Sequence, residues 1–178
     1  LNLAPVWSAE AGKGVVVAVV DTGITAHSDL DDNVLPGYDF ISNTMFANDG
    51  GGRDADASDP GDWVEKWGCR FNDSAQESSW HGTHVAGTIA ARADNGVGIA
   101  GIAHQAKIVP VRTLGRCGGY SSDIADSITW ASGGYVPGAP LNANPAQVIN
   151  LSLGGGGSCN RTTQTAINTA RANGASVV

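Results

Sequence analysis

The chain reads as an α/β protein built on a mainly parallel sheet, and three observations predict this. Short, β-branched apolar runs recur at Gly14–Val20, Lys107–Arg112 and Gln147–Leu153. Stretches with helical spacing or cap chemistry stand between and after them, at His81–Ala93, from Ser121 onward and at Thr162–Ala172. Apolar runs this short and continuous are strands buried on both faces. Strands that alternate with helices pair in parallel through right-handed crossovers.

The first run, GVVVAVV (14–20), is entered from Gly12-Lys13-Gly14 and stops at Asp21-Thr22-Gly23, which is turn chemistry. Residues 31–80 show no sustained period and are rich in Gly, Asp, Asn and Ser, with aromatics at Tyr38, Phe40, Phe46, Trp63, Trp67, Phe71 and Trp80. So long a loop is usually functional or tied down by an ion or a disulfide. In His81–Ala93, Val85, Ile89 and Arg92 fall near helical spacing among small residues, which predicts a closely packed helix. KIVPVR (107–112) is a strand weakened by Pro110. Ser121-Ser122-Asp123 opens a helix with N-cap chemistry, Ile124, Ile128 and Ala131 form its apolar face, and Gly133-Gly134 ends it. QVINLSL (147–153) is a third strand, Thr162–Ala172 a third helix with Gly174 after it, and Ser176-Val177-Val178 begins another strand.

The chain has 178 residues, the size of one domain or of a piece of one. A formal net charge of −7 argues against nucleic acid or an anionic membrane as partner. No apolar run approaches the roughly 20 residues a membrane helix needs. Three cysteines, Cys69, Cys117 and Cys159, match no zinc spacing. With scarce lysine and abundant glycine they point to a secreted, disulfide-bonded protein, whose odd cysteine is free or pairs outside the chain. The start at Leu1 rather than Met is expected of a processed or partial product.

Ligands of parallel α/β sheets sit at the carboxyl ends of the strands. Asp21, Leu114–Tyr120 and Leu153–Gly157 all occupy such ends. A carboxylate closing a buried strand is expensive unless paired, so Asp21 is either functional or a plain turn residue. An aspartic protease would need a second Asp-Thr-Gly, and the chain has none. A histidine at a helix start, as His81 is, favours the neutral imidazole of a general base. His81 and His84 could instead share a metal, but no Glu lies between them as in the zinc-protease helix; His84 is expected to be a buried structural histidine.

VVVAVVDTGI (15–24), HSDL (27–30), HGTHVAGTIAA (81–91), GIAGIAHQAKIVPVRTLG (98–115) and VINLSLGG (148–155) resemble the subtilisin-like serine proteases, in that family's order and spacing. The resemblance implies a three-layer subtilisin-like fold. Residues 1–178 would be the N-terminal and central part of one peptidase domain, truncated at both ends. It implies that Asp21 is the triad aspartate and His81 the triad base. The family's Gly-Thr-Ser-Met-Ala block and Ala-Gly-Asn segment do not occur here, so the serine and the oxyanion asparagine are expected outside the chain. Asn150, expected to face the sheet interior, is not taken for that asparagine. Leu114, Gly115, Gly118 and Gly119 match one substrate-binding strand, and Ser152, Leu153 and Gly154 match the wall opposite. Both would hold an extended peptide by main-chain hydrogen bonds.

With Cys117 in that strand and Cys69 twelve residues before His81, the resemblance implies a Cys69–Cys117 disulfide, leaving Cys159 to pair elsewhere. Structural Ca²⁺ is expected in two places. One is the crowded stretch with Asp49, Asp54, Asp56, Asp59 and Asp62, which is otherwise a solvated acidic loop. The other matches a family calcium loop, Asn95, Val97 and Ile99 with Asp29. The implied partners are polypeptide substrates, the protein's own propeptide and its remaining C-terminal segment. The rival reading is a non-catalytic domain of the same fold that binds peptide or calcium.

Overall fold

A computed structural model describes residues 3–7, 9–69 and 74–178. Phe71, within 70–73, lies outside the described residues. The elements in chain order are α1 (Ala4–Trp7), β1 (Val16–Asp21), a 3-10 turn (Asp31–Asn33), β2 (Tyr38–Asp39), α2 (Thr44–Ala47), α3 (His81–Ala90), β3 (Lys107–Arg112), α4 (Ser121–Ala131), β4 (Val148–Asn150), α5 (Arg161–Ala172) and β5 (Ser176–Val177). The strands form one parallel sheet in the order β2-β3-β1-β4-β5.

The pleat sorts the apolar runs onto two faces. Val17, Val19 and Ile108 pack with Ala86 and Ala90 of α3. Ala18, Val20, Val109, Val111 and Ile149 pack with Ala125, Ile128 and Trp130 of α4 and Ala166 and Ala170 of α5. Three layers result: one helix, the sheet and two helices. Strands β1 and β3 are therefore covered on both sides, which is why their runs are continuous rather than alternating.

Pro110 does not interrupt the centre of the sheet. Lys107 N–H points to Val15 of the β1 side, whereas the Ile108 and Arg112 carbonyls accept from Leu35 and Phe40 on the β2 side. Pro110 has the same parity as Ile108 and Arg112, so its missing N–H falls on the β2 side, where the ladder is short: Tyr38, Asp39 and an isolated bridge at Val34. Gly37 passes so close there that a Cβ would lie 2.0 Å from the Pro110 carbonyl oxygen.

Several boundaries differ from expectation. β1 runs on to include Asp21, and α3 ends at Ala90 rather than Ala93. β4 spans only Val148–Asn150, because the chain peels away into the glycine-rich stretch. His84 is exposed, not buried: the buried face of α3 is Gly82, Ala86, Gly87 and Ala90. Asn150 is half-buried, and its Nδ2 donates to Ser152 Oγ at 2.8 Å. The 31–80 region holds three short elements that no sequence period announced: the 3-10 turn, β2 and α2. There, β2 adds to the sheet edge, and α2 is capped by Asn43, whose side chain accepts from Met45 N–H.

Candidate active site

Strand β1 delivers Asp21 to the carboxyl edge of the sheet with no solvent exposure. Helix α3 begins at His81, so the imidazole stands at its N-terminus. The two meet: His81 Nδ1 lies 2.8 Å from Asp21 Oδ1 and 2.9 Å from Oδ2. Thr22 N–H donates to Asp21 Oδ1 at 2.7 Å. A buried carboxylate with these partners has its charge satisfied on the spot. Nδ1 is committed, and Nε2 of the half-exposed imidazole is the nitrogen left for a reacting group.

This approach depends on Gly82. A Cβ there would lie 2.3 Å from the Gly23 carbonyl oxygen and 3.2 Å from the Asp21 Cβ. The glycine after His81 lets α3 rest on the Asp21-Thr22-Gly23 turn.

Around His81 opens a cleft of about 1160 Å³. Leu114, Gly115, Gly118 and Gly119 line one side, and Ser152, Leu153 and Gly154 the other, so all seven predicted cleft residues share it with His81. Gly115 and Gly118 pair as a tight hairpin carrying Cys117 at φ 68°. Cys117 is bonded to Cys69, with Cα atoms 5.4 Å apart, which ties the 31–80 region to the cleft wall. Cys159 is exposed and has no disulfide partner among the described residues.

The acidic stretch is not a single cluster. Asp49 pairs with Arg112 at 2.6 Å. Asp54 accepts from Asp56 N–H, and Asp56 from Ser58 N–H. Asp62 accepts from the N–H and hydroxyl of Ser79, two residues before His81. Asp59 is buried under the Asp21 turn, where it accepts from the Thr22 hydroxyl. Burial raises its carboxyl above the ordinary range, against the lowering by Thr22 and Gly61. Among the described residues no three His, Cys, Asp or Glu side chains converge as a metal site. Asp49, Asp54, Asp56, Asp59 and Asp62, expected to hold calcium, each accept from a separate protein donor.

Asp29 is also buried, and Asn95 Nδ2 and Ile99 N–H donate to it at 2.7 and 2.9 Å. These bonds hold its carboxyl below the ordinary range. Gly98 passes so near that a Cβ would fall 2.2 Å from Asp29 Oδ2.

Sequence reasoning missed the charge pairing at the carboxyl ends of β2 and β3. Arg112, at the end of β3, is fully buried between Asp39 and Asp49 and also donates to the Ala47 carbonyl. Burial pushes Asp39 up to about 7, opposed by the Ile41 N–H and Arg112. Arg53 spans Asp123 and Asp126 of α4. The signal was an arginine closing an apolar strand, which is as costly as the aspartate closing β1 and equally needs partners.

Fold, dyad and cleft define a class, and the sequence comparison agrees: the chain belongs to the subtilase family, whose sequence model matches residues 12–178. It is 60% identical over 178 residues to an extracellular protease of Xanthomonas campestris pv. campestris, covering all of this chain and 31% of that protein. It is 55% identical over 171 residues to an extracellular basic protease of Dichelobacter nodosus, covering 94% of this chain and 28% of that protein. A solved protease structure from Pseudoalteromonas arctica superposes with a TM-score of 0.98 at 65% identity, over 100% of this chain and 52% of that one. The chain therefore spans about a third of the length of these curated relatives.

Proposed function

We propose that the parent protein is a secreted serine endopeptidase, and that this chain supplies Asp21 and His81 of an Asp-His-Ser triad. The observation that carries this is the fully buried Asp21 holding His81 Nδ1 at the edge of a two-walled cleft. A domain that only bound peptide would gain nothing from burying a carboxylate against an imidazole. The relatives' names, extracellular protease and extracellular basic protease, support both the activity and the location.

The serine comes from outside residues 1–178. His81 Nε2 takes the hydroxyl proton as the serine oxygen bonds to the scissile carbonyl carbon, and the carbonyl π electrons move onto oxygen. Asp21 holds the neutral tautomer with Nδ1–H and stabilises the imidazolium that forms. His81 then returns the proton to the leaving amine as the C–N bond breaks. Water repeats the cycle and releases the acyl group. Leu114–Gly119 and Ser152–Gly154 hold the substrate as an added strand, and the glycines admit its backbone. The partners are polypeptide substrates, the propeptide and the C-terminal remainder, with no role for nucleic acid or membrane.

Structural Ca²⁺ belongs to the same proposal, at Asp29, Asn95, Val97 and Ile99. One buried carboxylate, one carboxamide and loop carbonyls have the donor chemistry calcium takes. The ion would neutralise Asp29 and cross-link its loop. The acidic stretch carries no such proposal, since among the described residues its carboxylates do not converge.

The test is hydrolysis of a peptide substrate by the full-length protein and its His81→Ala variant. Loss of turnover in the variant is expected; equal rates would refute the assignment.

A further inference from the structure

The structure assigns Asp59 as a positioning residue of the Asp21–His81 pair, acting through the Thr22 hydroxyl. The inference rests on the catalytic reading above. Thr22 follows Asp21 in the chain, and Gly82 follows His81. The Thr22 hydroxyl joins the two: Oγ1 accepts from Gly82 N–H at 3.0 Å and donates to Asp59 Oδ2 at 2.7 Å. Thr22 is 5% exposed and Asp59 7%, so water does not replace either bond.

The direction of each bond is forced. A backbone N–H can only donate, so the Thr22 oxygen must accept from Gly82. The single hydroxyl proton then needs an acceptor, and Asp59 Oδ2 is the one it meets. The other carboxylate oxygen is taken, since Oδ1 accepts from Gly61 N–H at 2.8 Å. Both oxygens of Asp59 therefore serve as acceptors at once, one for each of the two donors.

Asp59 is itself fixed to the turn it supports. Its N–H donates to the Ile24 carbonyl at 2.9 Å, and Ile24 N–H donates to the Ala57 carbonyl at 3.0 Å. A Cβ at Gly23 would meet the Ala57 oxygen at 2.6 Å, so the Ala57–Asp59 strip lies directly on the turn after Asp21. The loop carrying Asp59 thus braces the junction where β1 meets the start of α3. The Asp59 carboxylate touches neither Asp21 nor His81; it sets their separation through Thr22 and Gly82.

Asparagine at 59 has the same shape but one carboxamide oxygen for two donors. Whichever way it turns, Gly61 N–H or the Thr22 hydroxyl loses its acceptor. In the full-length protein, Asp59→Asn and Thr22→Val are expected to lower kcat by about 10- to 100-fold, the scale of a slightly misplaced catalytic group. For Asp59→Asn KM should stay within about twofold, since Asp59 does not line the cleft, whereas Thr22 does. The acid limb of the kcat/KM pH profile should move to lower pH, because a loosened Asp21 stabilises the imidazolium less. Thr22→Ser keeps the hydroxyl and should restore the kcat that Thr22→Val loses. The double variant Thr22→Val/Asp59→Asn should be no slower than Thr22→Val alone. If Asp59→Asn does not fold, the Thr22 pair and its pH profiles decide.

Wild-type kcat and acid limb in Asp59→Asn or Thr22→Val would overturn the inference, as would failure of Thr22→Ser to restore the rate or additive losses in the double variant. His81→Ala runs in the same assay. If it keeps full activity, the catalytic reading fails; if it is inactive while the other variants match wild type, only the role of Asp59 fails.

Discussion

Asp21 and His81 illustrate how much chemistry a few side chains can announce. Asp21 was legible because a carboxylate at the end of an apolar run needs a partner, and His81 because of the eleven-residue block it opens. In the full-length protein His81→Ala should lower turnover by about 10⁶-fold, and Asp21→Asn by about 10⁴-fold through the wrong imidazole tautomer. Steady-state kinetics on a peptide substrate measure both. Gly82→Ala should act on the same pair from the backbone side. Its methyl meets the Gly23 carbonyl oxygen at 2.3 Å, so α3 must retreat. A stability loss of about 1–3 kcal/mol in urea unfolding is expected, together with reduced turnover. Asp59 and Arg112 were not legible in their roles. Their partners are 37 to 73 residues away in sequence, and no local pattern records those meetings. Arg112 and Asp39 also predict a pH dependence. With Asp39 raised from about 3.8 to about 7, the folded chain keeps a proton through a range in which the unfolded chain has released it. This contribution to stability is full below pH 3.8 and is lost as pH rises through 7. Asp49 continues to balance Arg112 when Asp39 is neutral. Asp39→Asn should therefore flatten the decline in stability between pH 4 and 7, as read from urea midpoints.

At the scale of elements, the strands and long helices were readable because burial on two faces imposes a pattern. The 31–80 region was not, since its structure rests on individual side-chain to backbone bonds and on ties to distant segments. Asn43 caps α2 and Asp62 holds Ser79; of the ties in this region, Cys69–Cys117 was the one expected, and it is formed. Crowding of carboxylates along the chain likewise says nothing of which donor each one meets. Two expectations separate the acidic stretch from the Asp29 loop. Asp59→Asn should lower the full-length Tm equally in EDTA and in millimolar calcium. EDTA should lower the Tm of the unaltered protein, because it removes a binding stabilisation of about 2.7 kcal/mol at calcium 100 times its Kd, and Asp29→Asn should abolish that difference. Identical melting in EDTA and calcium would remove the ion from the Asp29 loop. The Cys69–Cys117 bond closes a loop over 48 residues. Replacing both cysteines with serine should cost about 2–4 kcal/mol of stability.

For the whole molecule, the sheet order β2-β3-β1-β4-β5 sets the dyad and the cleft at one edge. The carboxyl ends of β1, β3 and β4 lead into Asp21, Leu114–Gly119 and Ser152–Gly154 respectively. The parallel fold was readable from its three apolar runs, and with it the edge at which the site would form. The disulfide tie was expected and is formed, whereas the buried ion pairs under that edge needed coordinates. The central claim is that residues 1–178 carry the aspartate and histidine that activate a serine lying outside them. A fluorophosphonate probe, which bonds covalently to an activated serine, tests it most directly. The full-length protein and its His81→Ala variant are labelled, digested and mapped by mass spectrometry. The account predicts one adduct, on a serine outside residues 1–178, that disappears in His81→Ala. An adduct on a serine within 1–178, labelling that survives His81→Ala, or no labelling of the active full-length protein would contradict it.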